Sequence, residues 1–113
     1  MKNYKQSWTE FEVQSLAYSI LRKSLYPKYL VRGEYLFKEQ DKKSSRVDIA
    51  IFKAHLDREP ELVLVIEIKK GIHGVSTRQG ERYSSHLGVP CLYIRGQDDA
   101  YKALKLVSEY LEV

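Results

Sequence analysis

"LVLVIEIKK", residues 62–70, decides how the chain is read. Five apolar residues follow one another without a break, and Glu67, Lys69 and Lys70 then arrive before the run has ended. A short apolar run bounded by polar segments has the form of a buried strand. Charged side chains at the end of such a strand need a reason to be there.

The neighbouring segment supplies one. "RVDIAIF", residues 46–52, alternates Val47, Ile49 and Ile51 against Asp48, Ala50 and Phe52, the period of a second strand. An antiparallel hairpin that sets 46–53 against 62–69 pairs Phe52 with Val63, Ile51 with Leu64, Ala50 with Val65 and Ile49 with Ile66, apolar against apolar throughout. The same register places Asp48 opposite Glu67 on one face. Facing Cβ atoms lie about 4.5–5.5 Å apart, and like charges at that range destabilise a sheet. A hard divalent cation compensates, because Mg²⁺ binds through one or two carboxylates together with water and phosphate oxygens. Lys69 shares the face of Glu67 and can orient or deprotonate an attacking water, or stabilise charge developing on phosphorus.

Outward from this pair, the chain reads as α-β-β-β-α-β-α. Ser7 followed by Glu10 has the form of a capping box, and Val13, Leu16, Ala17, Ile20 and Leu21 recur at helical spacing behind it, with Pro27 beyond the stop. Residues 29–39 form the first strand, with Gly33 as a candidate interruption. Ser76 can cap a second helix that runs to about Leu87. "VPCLYIR" is a fourth strand, and Ala100, Ala103, Leu104, Val107 and Leu111 mark a third helix from Asp98 onward. The expected fold class is α/β, one central mixed four-stranded sheet flanked by helices.

Composition bounds the function. The chain has 113 residues, 43% hydrophobic and 30% charged, which suits one globular domain over 1–113. No apolar run spans a bilayer, and "MKNYKQSWTE" lacks a secretory h-region, so a soluble cytoplasmic protein without a membrane partner is expected. Cys91 is the single cysteine, which excludes an internal disulfide and zinc held by several cysteines. A net charge of +4 favours a polyanionic partner.

Helix one offers a third carboxylate. Glu10 falls about 50° from the centre of the apolar face and Glu12 about 110° away. Glu10 therefore faces inward, at a helix end where the macrodipole favours an anion.

Taken together, Glu10, Asp48 in "RVDIAIF", Glu67 and Lys69 in "VIEIKK", and Gln79 and Tyr83 in "QGERY" resemble the PD-(D/E)XK nuclease superfamily over roughly residues 7–95. Val47 stands where the superfamily's name has proline. The Gln-x-x-x-Tyr spacing resembles the RecB-like branch, and "TEFEV" with "RVDIAIF" resembles the N-terminal nuclease domain of type I restriction subunits. The resemblance implies a restriction-endonuclease-like core and Mg²⁺-dependent (or Mn²⁺-dependent) hydrolysis of DNA. It implies Asp48 and Glu67 as metal ligands, Lys69 as the catalytic lysine and Glu10 as an accessory carboxylate touching metal-bound water. Gln79, Tyr83, Arg78, Arg82 and Lys70 would hold the DNA backbone. Candidate partners beyond DNA are a second copy of the chain or a subunit carrying a motor or specificity element.

Plainer readings stand beside these. Glu67 and Lys69 also fit a solvated strand end, although apolar Val63 and Val65 on the same face speak against it. Asp48 also fits a turn-side residue that begins its strand. Glu10 also fits the third position of the capping box, and Gln79 the same position after Ser76. Tyr83 also fits packing, and Lys70, Arg78 and Arg82 a wet helix face. At the level of the whole protein, the alternatives are a dimeric junction resolvase resembling those that cut Holliday junctions, and a non-catalytic nucleic-acid-binding or complex-forming domain that keeps the fold.

Overall fold

Thr9 starts the first helix, two residues later than the Ser7–Glu10 spacing predicts. In the computed structural model, which describes residues 8–38, 44–69 and 78–111, α1 spans Glu10–Leu25. The Thr9 side chain accepts the Glu12 N–H at 3.1 Å, and the Glu12 carboxylate accepts the Thr9 N–H at 2.8 Å. Glu12, not Glu10, thus closes the capping box, because its side chain is the one that can reach back to the Thr9 backbone. Ser7 lies outside the described residues.

The remaining elements are β1 (Tyr29–Lys38), β2 (Ser44–Lys53), β3 (Glu61–Lys69), α2 (Arg78–Leu87), β4 (Cys91–Arg95), α3 (Gly96–Tyr101) and α4 (Ala103–Ser108). The expected order holds, with the last helix divided at Lys102 into α3 and α4. Its predicted apolar positions Ala100, Ala103, Val107 and Leu111 are nonetheless buried. The four strands lie in sequence order, antiparallel from β1 to β3, with β3 and β4 parallel. A parallel pair needs a crossover, and α2 provides it.

β3 is apolar on both sides because both sides are covered. Leu64, Ile66 and Ile68 join Val13, Ala17 and Leu21 of α1 and Ala100, Ala103 and Val107 of the last two helices in one core. Val65 packs on the other face with Val47, Ala50, Phe37 and Tyr83. At the end of α2, Gly88 takes φ 73° and its N–H reaches Ser84 O at 2.8 Å, a left-handed helix end suited to glycine.

The β2–β3 register agrees with the sequence for Ile49↔Ile66, Ala50↔Val65 and Ile51↔Leu64, then slips. Phe52 faces Leu62 rather than Val63, so Val63 is the extra residue of a bulge. Its side chain packs into the α1-side core, leaving Val65 as the apolar neighbour that shares the face of Glu67. Strand β1 continues through Gly33, and its irregularity is one residue on, at Glu34 with φ 53°.

The sheet then forks. Ile49↔Ile66 is the last ladder pair at this end of β2 and β3, so the expected Asp48–Glu67 pair does not form; beyond it β2 continues beside β1 to Ser44, while β3 continues beside β4 to Lys69. Asp48 and Glu67 are the first residues of the two prongs.

Two substitutions test the architecture by urea denaturation. Ile66→Ala, at 0% exposure, is expected to cost about 2–5 kcal/mol. Thr9→Ala should cost about 1 kcal/mol through the lost cap.

Candidate active site

Past the fork, the backbone of β3 has no partner in β2, and a side chain takes that place. Asp48 Oδ2 accepts the Ile68 N–H at 2.7 Å, bridging the prongs where the ladder has ended. The Asp48 backbone is held from the other side by Gln14 of α1, whose Nε2 donates to Asp48 O at 3.2 Å. Asp48 is therefore fixed at both its carboxylate and its peptide group.

Glu67 is only 5% exposed, and its Oε1 has no hydrogen-bond donor among the described residues. Burial pushes its carboxyl up to about 7, and the neighbouring Asp48 charge pushes in the same direction. Lys69 and a hydrogen bond from the Asp48 backbone pull it down, while Glu10 raises it again. Burial also lifts Asp48 above the ordinary carboxylate range, against the Ile68 N–H; Glu10 and Glu34 add to the rise and Arg46 opposes it. Thus Glu10, exposed at the first position of α1, lies close enough to act on both carboxylates. Its side chain is at the rim of the fork rather than inside it.

Lys69 does not ion-pair with these acids in any contact among the described residues. Its Nζ donates to Gln79 Oε1 at 3.3 Å, and Gln79 Nε2 donates to Tyr83 Oη at 2.9 Å. Both ends of the Gln79 amide are thereby engaged with site residues. Tyr83 does two things at once: 4% exposed, it packs edge-on against Phe37 with centroids 5.2 Å apart and still anchors Gln79. Arg82 is exposed, its Cζ 5.3 Å from the Tyr83 ring centroid. Lys70 and the side chain of Arg78 lie outside the described residues, although Arg78 opens α2.

Three contributors escaped the sequence reading. Gln14 follows Glu10 by four residues, so the spacing that puts them on one helix side was legible. Arg46 precedes Asp48 by two on the same strand, and its guanidinium pairs with Glu34 at 3.3 Å. Tyr93 faces Glu67 across the parallel β3–β4 ladder, a register that no local signal announces. Its ring lies 5.9 Å from Lys69 Nζ, and its hydroxyl accepts the Gly80 N–H at 2.9 Å. A Cβ at position 80 would sit 2.5 Å from that hydroxyl, so glycine lets α2 approach β4. Cys91 is inert beside this group, since burial and then Glu67 raise its thiol to about 12.

Among the described residues no three His, Cys, Asp or Glu side chains converge as a complete ligand set. Two adjacent carboxylates, one with an undonated buried oxygen, match a hard divalent cation that completes its shell with water and phosphate oxygens. The oxygen donors present therefore fit Mg²⁺ or Mn²⁺.

A family model described as type I restriction enzyme R protein N terminus (HSDR_N) matches residues 10–109. Comparison with curated proteins gives no match, and comparison with solved structures gives none.

The raised Glu67 carboxyl makes a prediction for the metal-free protein. A folded-state value of about 7, above the ordinary 4.5, stabilises the fold at pH below about 4.5 and ceases to do so as pH rises through 7. Glu67→Gln should therefore be more stable than wild type at pH 8, by on the order of 3 kcal/mol. The gap should close toward pH 4.5, as read by urea denaturation in chelator.

Proposed function

The chain belongs to the family of type I restriction enzyme R protein N-terminal domains, and on that premise we propose that it is a metal-dependent nuclease that hydrolyses DNA phosphodiester bonds at the fork of its sheet. The observation that carries the reading is the buried Glu67 carboxylate, with an oxygen that no described residue satisfies, set beside Asp48. A protein gains no stability from such an arrangement, since an undonated buried oxygen and a like-charge neighbour both disfavour folding. A binding role explains why both are present.

Asp48 and Glu67 would hold Mg²⁺ or Mn²⁺. When bound, such an ion supplies Lewis acidity and lowers the pKa of water for attack on phosphorus. The remaining work belongs to the chain. Lys69 Nζ, already oriented by Gln79, donates to a phosphate oxygen and opposes the negative charge that grows there in the transition state. Tyr83 keeps Gln79, and so Lys69, from swinging away. Glu10 at the rim accepts a hydrogen bond from water entering the fork. Arg82, exposed on α2, offers a cation to the backbone phosphates. In a restriction-enzyme subunit such a domain works on DNA beside further subunits, which would supply the motor and the sequence specificity.

The expected result is cleavage of plasmid or oligonucleotide DNA that requires Mg²⁺ or Mn²⁺ and stops in chelator. Lys69→Ala should lower it by about a hundredfold or more, with an unchanged circular-dichroism melt. Asp48→Asn should abolish it. A folded wild type, supplied with metal, that cuts no single-stranded, duplex or branched DNA removes the reading.

A further inference from the structure

On α1, Glu10, Gln14, Tyr18 and Arg22 recur every four residues, each about 6 Å further from the fork and about 40° further round the helix, and Tyr26 follows as the residue that caps its end. Gln14 still touches the site through the Asp48 carbonyl. Tyr18 lies over Gly33, whose pairing partner Ile49 is next to Asp48. From there the side of the helix opens into a groove of 270 Å³ between α1 and the edge strand β1, lined by Tyr18, Arg22, Tyr26, Tyr29 and Arg32. A second depression on the outer side of α1 adds Lys23.

The groove is basic and aromatic together. Between Glu12 and Glu34 the sequence contains Arg22, Lys23, Lys28 and Arg32 and no carboxylate. Among the described residues no ion pair engages Arg22, Lys23 or Arg32. Glu59 shares the adjoining depression with Arg32 but does not line the groove. Favourable interaction with the helix C-terminus accounts for Arg22 and Lys23. It does not account for Arg32, which comes from β1, nor for Tyr26, which leaves 67% of its surface in water. The Arg22 guanidinium lies over the Tyr18 ring with 6.0 Å from Cζ to centroid, leaving Tyr26 as the open ring face.

We infer that this groove binds a single strand of DNA, its phosphates on Arg22, Lys23 and Arg32 and a base stacked on Tyr26, and leads that strand to the fork. A duplex keeps its bases inside and presents phosphates, so it gains nothing from an exposed tyrosine ring. A single strand offers both groups, and grooves that combine cations with stacking rings suit it. The inference rests on the nuclease reading for the choice of DNA as the polyanion and for the direction toward Asp48 and Glu67. Its test does not require cleavage.

Fluorescence anisotropy of a labelled oligodeoxythymidylate, and of a duplex of equal length, measured in chelator across a salt series, decides the matter. Tyr26→Ala should weaken single-strand binding roughly tenfold and leave duplex binding unchanged. The Arg22→Glu, Arg32→Glu double variant should lose more than tenfold, with a salt slope shallower by about 0.7 for each cation removed. Lys105→Glu, a charge reversal on exposed α4, should bind like wild type. Melting curves verify that the variants fold. Unchanged single-strand affinity in both groove variants overturns the inference, as does wild-type binding to neither oligonucleotide, or equal loss for both oligonucleotides in Tyr26→Ala. Metal-dependent cleavage with unaffected groove variants would sink the groove and leave the nuclease standing. Groove-dependent binding without cleavage would support the groove and remove the nuclease.

Discussion

Two carboxylates, Asp48 and Glu67, occupy the place where β2 and β3 part, and the arrangement of every other site residue depends on that parting. Had the antiparallel ladder continued, the β3 backbone at Ile68 would have sought a partner in β2, and the Asp48 side chain would not have been needed there. Because β2 stays with β1 and β3 goes with β4, the Ile68 N–H is satisfied by Asp48 Oδ2 instead. One bond thus closes the backbone accounting and aims a carboxylate into the fork. Among the described residues, Glu67 Oε1 has no equivalent donor. Its burial raises its carboxyl and works against the fold, which tolerates this because β3 is packed on both faces by separate apolar clusters.

Helix α1 connects this site to the rest of the molecule in a way that depends on where it starts. With Thr9 as its cap and Glu12 as the reciprocal partner, Glu10 is released from capping and stands at the first helical position. There it raises both Asp48 and Glu67. The next turn delivers Gln14 to the Asp48 carbonyl. Below that, the buried stripe of Val13, Ala17, Leu21 and Leu25 anchors the helix to the sheet. The helix is consequently tied to the core along one side, while a flanking side carries polar and aromatic groups from the fork toward Tyr26.

Much of this was legible in the sequence where interactions are local or periodic. The run 62–66 declared its strand, and pairing it with the alternating segment 47–51 anticipated Ile49↔Ile66, Ala50↔Val65 and Ile51↔Leu64, although Asp48 and Glu67 part at the fork instead of facing as a pair. The slip at Val63 was not legible, because a bulge depends on how the whole hairpin twists, and an apolar residue suits either face there. The cap was displaced because Ser7–Glu10 and Thr9–Glu12 both satisfy the same spacing, and only the backbone decides between them. Tyr93 had no signal at all: its position opposite Glu67 follows from the length and docking of the crossover between β3 and β4. The stretches "TEFEV" and "RVDIAIF" pointed to the family that matches, and the hydrogen bonds from Lys69 to Gln79 to Tyr83 give the Gln-x-x-x-Tyr spacing a physical content.

Those two bonds also imply that the position of Lys69 is set less by its own strand than by α2. The helix is fastened at three points: Gly80 to the Tyr93 hydroxyl, Tyr83 edge-on to Phe37, and the His86 ring to the Lys38 carbonyl at 2.8 Å. Two of these fastenings are on the far end of β1, the prong that left with β2, and the third is on β4, the prong that left with β3. Helix α2 therefore spans the fork, and the separation of the prongs fixes where Gln79 can stand. A long, flexible ammonium side chain beside the buried Glu67 and half-buried Asp48 carboxylates would otherwise be drawn into an ion pair with them. Held by an amide that is itself held across both prongs, it stays near the acids without pairing with them, and the proposed nuclease uses that spacing to admit a cation and a phosphate.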